Sequence, residues 1–151
     1  MSIESILNSI INNIRTGNLK SAQYDLNTAK NMAPNDFRVW HLDGIVNARI
    51  ENFQDAISSF KKAFDLGDKE DFEICYFMGY SYMRLEQFEN ALDYFNKAIE
   101  HNDKIGLAFF SKAWTLANLG RTDEALVAAK KALELDPNDD DTKRLIEILE
   151  S

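Results

Sequence analysis

Apolar residues recur at three- and four-residue steps along nearly the whole chain, with polar residues between them. This is the pattern of helices that each bury one stripe. Between positions 72 and 105, one stripe runs Ile74, Cys75, Met78, Tyr82 and Leu85. After Glu86-Gln87 a second begins: Phe88, Ala91, Leu92, Phe95, Ala98 and Ile99. The pair of stripes returns as Phe109, Ala113, Leu116 and Leu119, then Ala125, Ala129, Ala132 and Leu133. Gly17 and Gly120 fall where the first stripe of a pair stops, and glycine readily takes the left-handed conformation that ends a helix. Asn52 and Thr122 are the expected N-caps of second helices, and Asp103 that of a first helix.

The pairs are copies of one unit. Ala22, Ala56, Ala91 and Ala125 form a column at spacings of 34, 35 and 34. Leu26, Phe60, Phe95 and Ala129 keep the same spacings, as do Ala29, Ala63, Ala98 and Ala132. Upstream, Ile6, Trp40, Cys75 and Phe109 align, and so do Ile10, Gly44, Gly79 and Ala113. Pro34, Asp68, Asp103 and Pro137 close the units. Columns in phase define helix-turn-helix repeats at 3–36, 37–71, 72–105 and 106–139. The small columns let paired helices approach, and large residues beside them fill the gaps. Residues 140–151 are expected to form a capping helix, with Leu145, Ile146, Ile148 and Leu149 laid on the last repeat. At the other end, Ile3, Ile6, Leu7, Ile10, Ile11 and Ile14 are expected to leave apolar surface exposed.

These columns resemble the tetratricopeptide repeat. The strongest match is Leu119-Gly-Arg-Thr-Asp-Glu-Ala-Leu-Val-Ala-Ala-Lys-Lys-Ala-Leu-Glu-Leu-Asp-Pro-Asn, followed by Phe77-Met-Gly-Tyr-Ser-Tyr and Ala91-Leu-Asp-Tyr-Phe-Asn-Lys-Ala-Ile. The resemblance covers 3–139. It departs from the family at Ile10, where a small residue is usual, and at Asn13 and Asn47, where an aromatic is. Asp43 takes a usually apolar place, and Asp68 and Asp103 replace the closing proline. The resemblance implies an all-α fold: a right-handed superhelical α-α solenoid in a single domain, 1–151. In this family the first helices line a concave groove that binds protein segments. The groove-facing places carry Leu7 and Ile11, His41 and Ile45, Tyr76 and Tyr80, then Phe110 and Trp114. Met83, Arg84, Ala117 and Asn118 lie beside them. Tyr, Trp, Arg and Met are enriched at binding hot spots. The carboxylate clamp of chaperone-tail receptors is excluded. Its Lys, Asn and Arg places hold Leu7, Ile11, Leu42, Glu73 and Phe77, or one repeat later His41, Ile45, Phe77, Leu107 and Ser111.

Composition narrows the function. The chain has 151 residues, 45% of them hydrophobic, enough for one substantial core. A net charge of −8 disfavours nucleic acid and anionic membranes as partners. No apolar run approaches the ~18 residues a membrane span requires. The start lacks a basic region like that of a secretory signal, so a cytoplasmic location is expected. A lone cysteine, Cys75, excludes an intramolecular disulfide and occupies a packing column. His41 and His101 lie in different repeats, and neither has a nucleophile nearby in sequence. Asp136, Asn138, Asp140 and Glu147 have calcium-loop spacing, but Asp141 stands where that loop needs glycine. No enzyme, cofactor or metal site is expected. The function read from the sequence is a protein-interaction scaffold that binds an apolar or amphipathic peptide in its groove. The alternative is a self-assembling module, a homo-oligomer joined through Ile3, Leu7, Ile11 and Ile14.

Overall fold

The computed structural model describes residues 1–151. Nine α-helices and no strand make an all-α chain that divides into two compact units, Met1–Glu70 and Asp71–Ser151. No helix is long and apolar enough to cross a membrane.

The first unit holds α1 (Ile3–Arg15), α2 (Leu19–Met32), α3 (Phe37–Arg49) and α4 (Phe53–Asp65). Adjacent helices pair as antiparallel hairpins, and α3 also packs on α1 and α2. Ile6, Leu7, Ile10, Leu26, Val39 and Val46 form the core shared by α1, α2 and α3. The small column has a direct cause here: a Cβ added to Gly44 would lie 2.5 Å from the ring of Phe60. In the first repeat the two places are Ile10 and Leu26, so bulk is shared instead of segregated.

Polar side chains close both hairpins of this unit. Between α1 and α2, Ser9 Oγ and Asn13 Nδ2 donate to Asp25 Oδ2 at 2.7 and 3.2 Å. Between α3 and α4, Ser59 Oγ and Asn47 Nδ2 donate to Asp43 Oδ2 at 2.5 and 3.1 Å. Lys30 Nζ then reaches Asp43 Oδ1 at 2.8 Å from α2. The Asp43 side chain is nine-tenths buried, and these partners satisfy a charge that would otherwise be costly to bury.

The second unit holds α5 (Phe72–Arg84), α6 (Phe88–His101), α7 (Gly106–Asn118), α8 (Thr122–Leu135) and α9 (Asp140–Glu150). Here the closures are apolar. Tyr82 of α5 stacks on Tyr94 of α6 at 5.6 Å, and a Cβ on Gly79 would meet Phe95 at 2.8 Å. Leu92, Ala113, Leu116, Ala125, Ala129 and Leu145 form the core that α9 covers.

Several local expectations need correction. Of the α1 stripe, Ile6, Leu7 and Ile10 are buried, and Ile3 and Ile14 pack partly against the core, because α1 packs on both α2 and α3. Only Ile11 remains largely exposed, while the outward side carries Ser5, Ser9 and Asn12. The surface invoked for self-assembly is thus consumed by the unit's own packing. In α9, Ile148 points to water at 67% exposure instead of covering the last repeat. Thr122 is the first residue of α8, with Arg121 at the N-cap, and Ile105, not Asp103, caps α7. Asn52 caps α4 by position, without a side-chain hydrogen bond. Gly17 and Gly120 are left-handed, at φ 79° and 75°. Glu51 and Glu86 hold the corresponding left-handed places of the middle repeats, at φ 68° and 58°.

Candidate functional site

In the second unit, α5 sets one aromatic per helical turn in a row, whose middle ring, Tyr76, also meets Phe95 of α6 at 5.9 Å. Phe72 and Tyr76 stack at 5.9 Å, and Tyr76 and Tyr80 at 6.4 Å. The i, i+4 spacing makes this row of parallel rings. Opposite stand Leu107, Phe110, Ser111 and Trp114 of α7, themselves at i, i+3, i+4 and i+7. Together with Met83 they line a cleft of about 260 Å³. Its walls are almost wholly apolar and are built by α5 and α7 alone.

The cleft is not filled by its own side chains. Trp114 is 45% exposed and Leu107 54%, while Tyr76, Tyr80, Met83 and Phe110 are half-buried. Tyr76 is anchored in the wall: burial raises its phenol pKa, a shift that a hydrogen bond from Ser111 partly offsets. Arg84 Nη1 donates to Tyr80 Oη at 2.8 Å, with the guanidinium 5.7 Å from the ring centroid. Aromatic rings held by neighbours lose little rotamer freedom when a ligand covers them.

Five residues expected at the site therefore converge: Tyr76, Tyr80, Met83, Phe110 and Trp114. Arg84 joins them through the Tyr80 hydroxyl, whereas Asn118 is turned back to the Trp114 carbonyl at 2.9 Å and lines no part of the cleft. Leu107 and Ser111 were missed as contributors, although their spacing from Phe110 and Trp114 places them on the same helical face.

In the first unit the expected residues separate. Leu7, Ile11 and His41 border a cavity of about 350 Å³ with Glu4, Asn8, Phe37, Arg38, Leu42 and Asp68. Leu7 is only 4% exposed there, as a member of the core, which leaves Ile11 as the exposed apolar side chain from α1. Ile45 is buried and does not border this cavity, because α3 is covered by α1, α2 and α4 and its residues 43–46 are all enclosed. The remaining character is ionic. His41 Nδ1 lies 2.7 Å from Asp68 Oδ2. Arg38 is held by Asp36 through Nε and Nη2 and by Glu4 through Nη1. Hydrogen bonds from Arg38 lower the Asp36 pKa, and those to Asp36 and Glu4 raise that of Arg38.

Residues 72–104 and 106–139 match the family model of the tetratricopeptide repeat. Residues 72–139 are two tetratricopeptide repeats. Further likenesses are to solved structures. YrrB, described as a TPR protein with an unusual peptide-binding site, superposes with a TM-score of 0.82 at 26% identity, over 95% of this chain and 74% of that one. MamA from Desulfovibrio magneticus RS-1 gives 0.86 at 19% identity, over 97% and 82%. The APC/C hetero-tetramer Cut9-Hcn1 gives 0.89 at 17%, over 99% of this chain and 30% of that one. The last two likenesses are of fold alone. A comparison with curated protein sequences finds no match. The tetratricopeptide-repeat fold is that of a protein-interaction scaffold.

Proposed function

We propose that this protein binds an apolar or amphipathic segment of a partner protein in the cleft between α5 and α7. The observation that carries the reading is the cleft itself: Trp114 and Leu107 stand half in water on one wall, facing Tyr76 and Tyr80 on the other. Trp114 and Leu107 lie outside the buried residues of α7, so the fold closes without covering them. Covering them would remove apolar area from water at about 25 cal/mol per Å², before ordering costs. The peptide-binding description of YrrB, at 26% identity, favours the same class of ligand. The first-unit cavity beside Ile11 and His41 is read as a second, more polar surface of the same scaffold. The role is binding, not catalysis: the cleft offers stacking faces and one serine hydroxyl already bonded to Tyr76.

Selection of a random peptide library on the wild-type protein is expected to enrich segments with paired bulky apolar residues. The variant Tyr80→Ala with Trp114→Ala is expected to lose binding of such a peptide by on the order of 100-fold, as two aromatic hot spots would. Its helical circular dichroism is expected to stay intact, because both side chains are partly exposed. Wild-type affinity in the folded double variant would remove the cleft from the account.

A further inference from the structure

The two units treat one column of the repeat in opposite ways. In the first unit the outer cavity, about 340 Å³, surrounds Asp43, and its charge is answered by Lys30, Asn47 and Ser59. In the second unit the same column holds Lys112. It borders an outer cavity of about 410 Å³ between α7 and α8, with Phe109, Leu116, Val127 and Ala128 as apolar walls. Lys112 is half-buried and makes no hydrogen bond or ion pair. Glu124 lines the same cavity and attracts Lys112 electrostatically, but both of its oxygens are engaged by Arg121, at 2.9 and 2.7 Å. Lys131, on the rim, reaches Glu134 only at 3.7 Å.

An apolar pocket with two ammonium groups, whose one lining carboxylate is already bonded to Arg121, selects a carboxylate attached to an apolar group, since the ion pair strengthens as water leaves. We propose that this outer pocket docks a segment of a partner protein that presents a bulky apolar side chain beside an Asp or Glu. Charge complementarity with Lys112 and Lys131 is the argument, in a chain whose net charge is −8. Val127 is 72% exposed, so one wall stands open to the side. A segment lying across α8 covers that wall, whereas a fatty acyl chain would stay half in water. The surface shares no residue with the α5–α7 cleft and does not depend on that reading.

The test is an amide chemical-shift titration of the full chain with the acetylated, amidated peptide Ala-Glu-Leu-Leu-Glu-Ala and its twin carrying Gln for Glu. Shifts are expected at 109–112 and 127–131 with the acidic peptide. Binding is expected to weaken about tenfold for the Gln twin and for Lys112→Gln, as loss of a charge-assisted contact does. Val127→Glu, at an exposed position that does not threaten the fold, is expected to weaken it as well. Equal affinity for the two peptides overturns the proposal. So do shifts confined to residues around Tyr80 and Trp114, a response to octanoate without one to the peptide, or shifts that follow protein concentration alone.

Discussion

The two units close the same hairpin by different physics. In the first, three columns of the repeat are polar and bonded to one another: Ser9, Asn13 and Asp25, then Asp43, Asn47 and Ser59. In the second, the same columns hold Met78, Tyr82 and Tyr94, then Lys112, Leu116 and Ala128. Asp and Ser exchange helices between the two polar hairpins while Asn keeps its place. What is preserved is the bonded set, not the residue at either position. Hydrogen bonds are directional and must all be made, while apolar packing tolerates exchange of shape. A polar closure therefore fixes a hairpin without adding much net stability, and an apolar closure adds stability with less demand on geometry.

The largest effect is expected where the closure is aromatic. Tyr82→Ala opens a cavity beside Tyr94 and is expected to destabilise the second unit by about 4 kcal/mol, as other buried aromatic truncations do. Hydrogen exchange, read separately in α5–α6 and α3–α4, checks that the loss stays in the second unit. Next comes Asp43→Ser, which strips Lys30, Asn47 and Ser59 of their acceptor and is expected to cost about 3 kcal/mol in urea unfolding. Adding Ser59→Asp recreates the arrangement of Ser9 and Asp25 and is expected to recover more than half of that loss. A double variant no more stable than Asp43→Ser would show that the exchange between the hairpins is not an equivalence.

The repeats were legible because every unit buries the same columns, so four weak patterns in phase make one strong one. The clasps were half legible. Asn13, Asp43 and Asn47 stand out as polar intrusions, but their partners Asp25 and Ser59 lie on the following helix. Reading them requires comparing columns in pairs, since Asp with Ser in one repeat becomes Ser with Asp in the next. The cleft was legible through Tyr76, Tyr80, Phe110 and Trp114, bulky residues on a helical face the packing columns do not use. Leu7 and Ile45 were misplaced for the opposite reason: neighbours on several sides of α1 and α3 leave no face of those segments free. Helix starts were misread where a capping side chain was assumed, as at Asp103, although the backbone alone turns the chain at Ile105.

A smaller effect tests the turns that both units share. Glu86 sits at φ 58° in the place that Gly120 fills one repeat later. A left-handed glutamate carries strain that glycine does not, so Glu86→Gly is expected to stabilise the second unit by about 1 kcal/mol. A midpoint unchanged in urea would mean that the lost chain entropy of glycine cancels the relief.

The smallest expected effects separate the units by pH. Asp36 is held below its ordinary carboxylate range by hydrogen bonds from Arg38, so it contributes stability that is present above its unfolded pKa and lost as pH falls through the folded one. The first unit should therefore loosen on the acid side, below about pH 4, and Asp36→Asn should remove that part of the acid response. Tyr76 is shifted the other way. Burial raises its phenol pKa, so its contribution is complete below the unfolded value and is lost as pH rises through the folded one. The second unit should loosen above about pH 10, where the phenolate would have to be buried against Tyr80 and the aromatic wall. Tyr76→Phe keeps the ring and removes the ionisation, and with it the alkaline transition. Hydrogen exchange across the pH range assigns each loss to its unit: acid loosening in α5–α6, or alkaline loosening that survives Tyr76→Phe, would break the division.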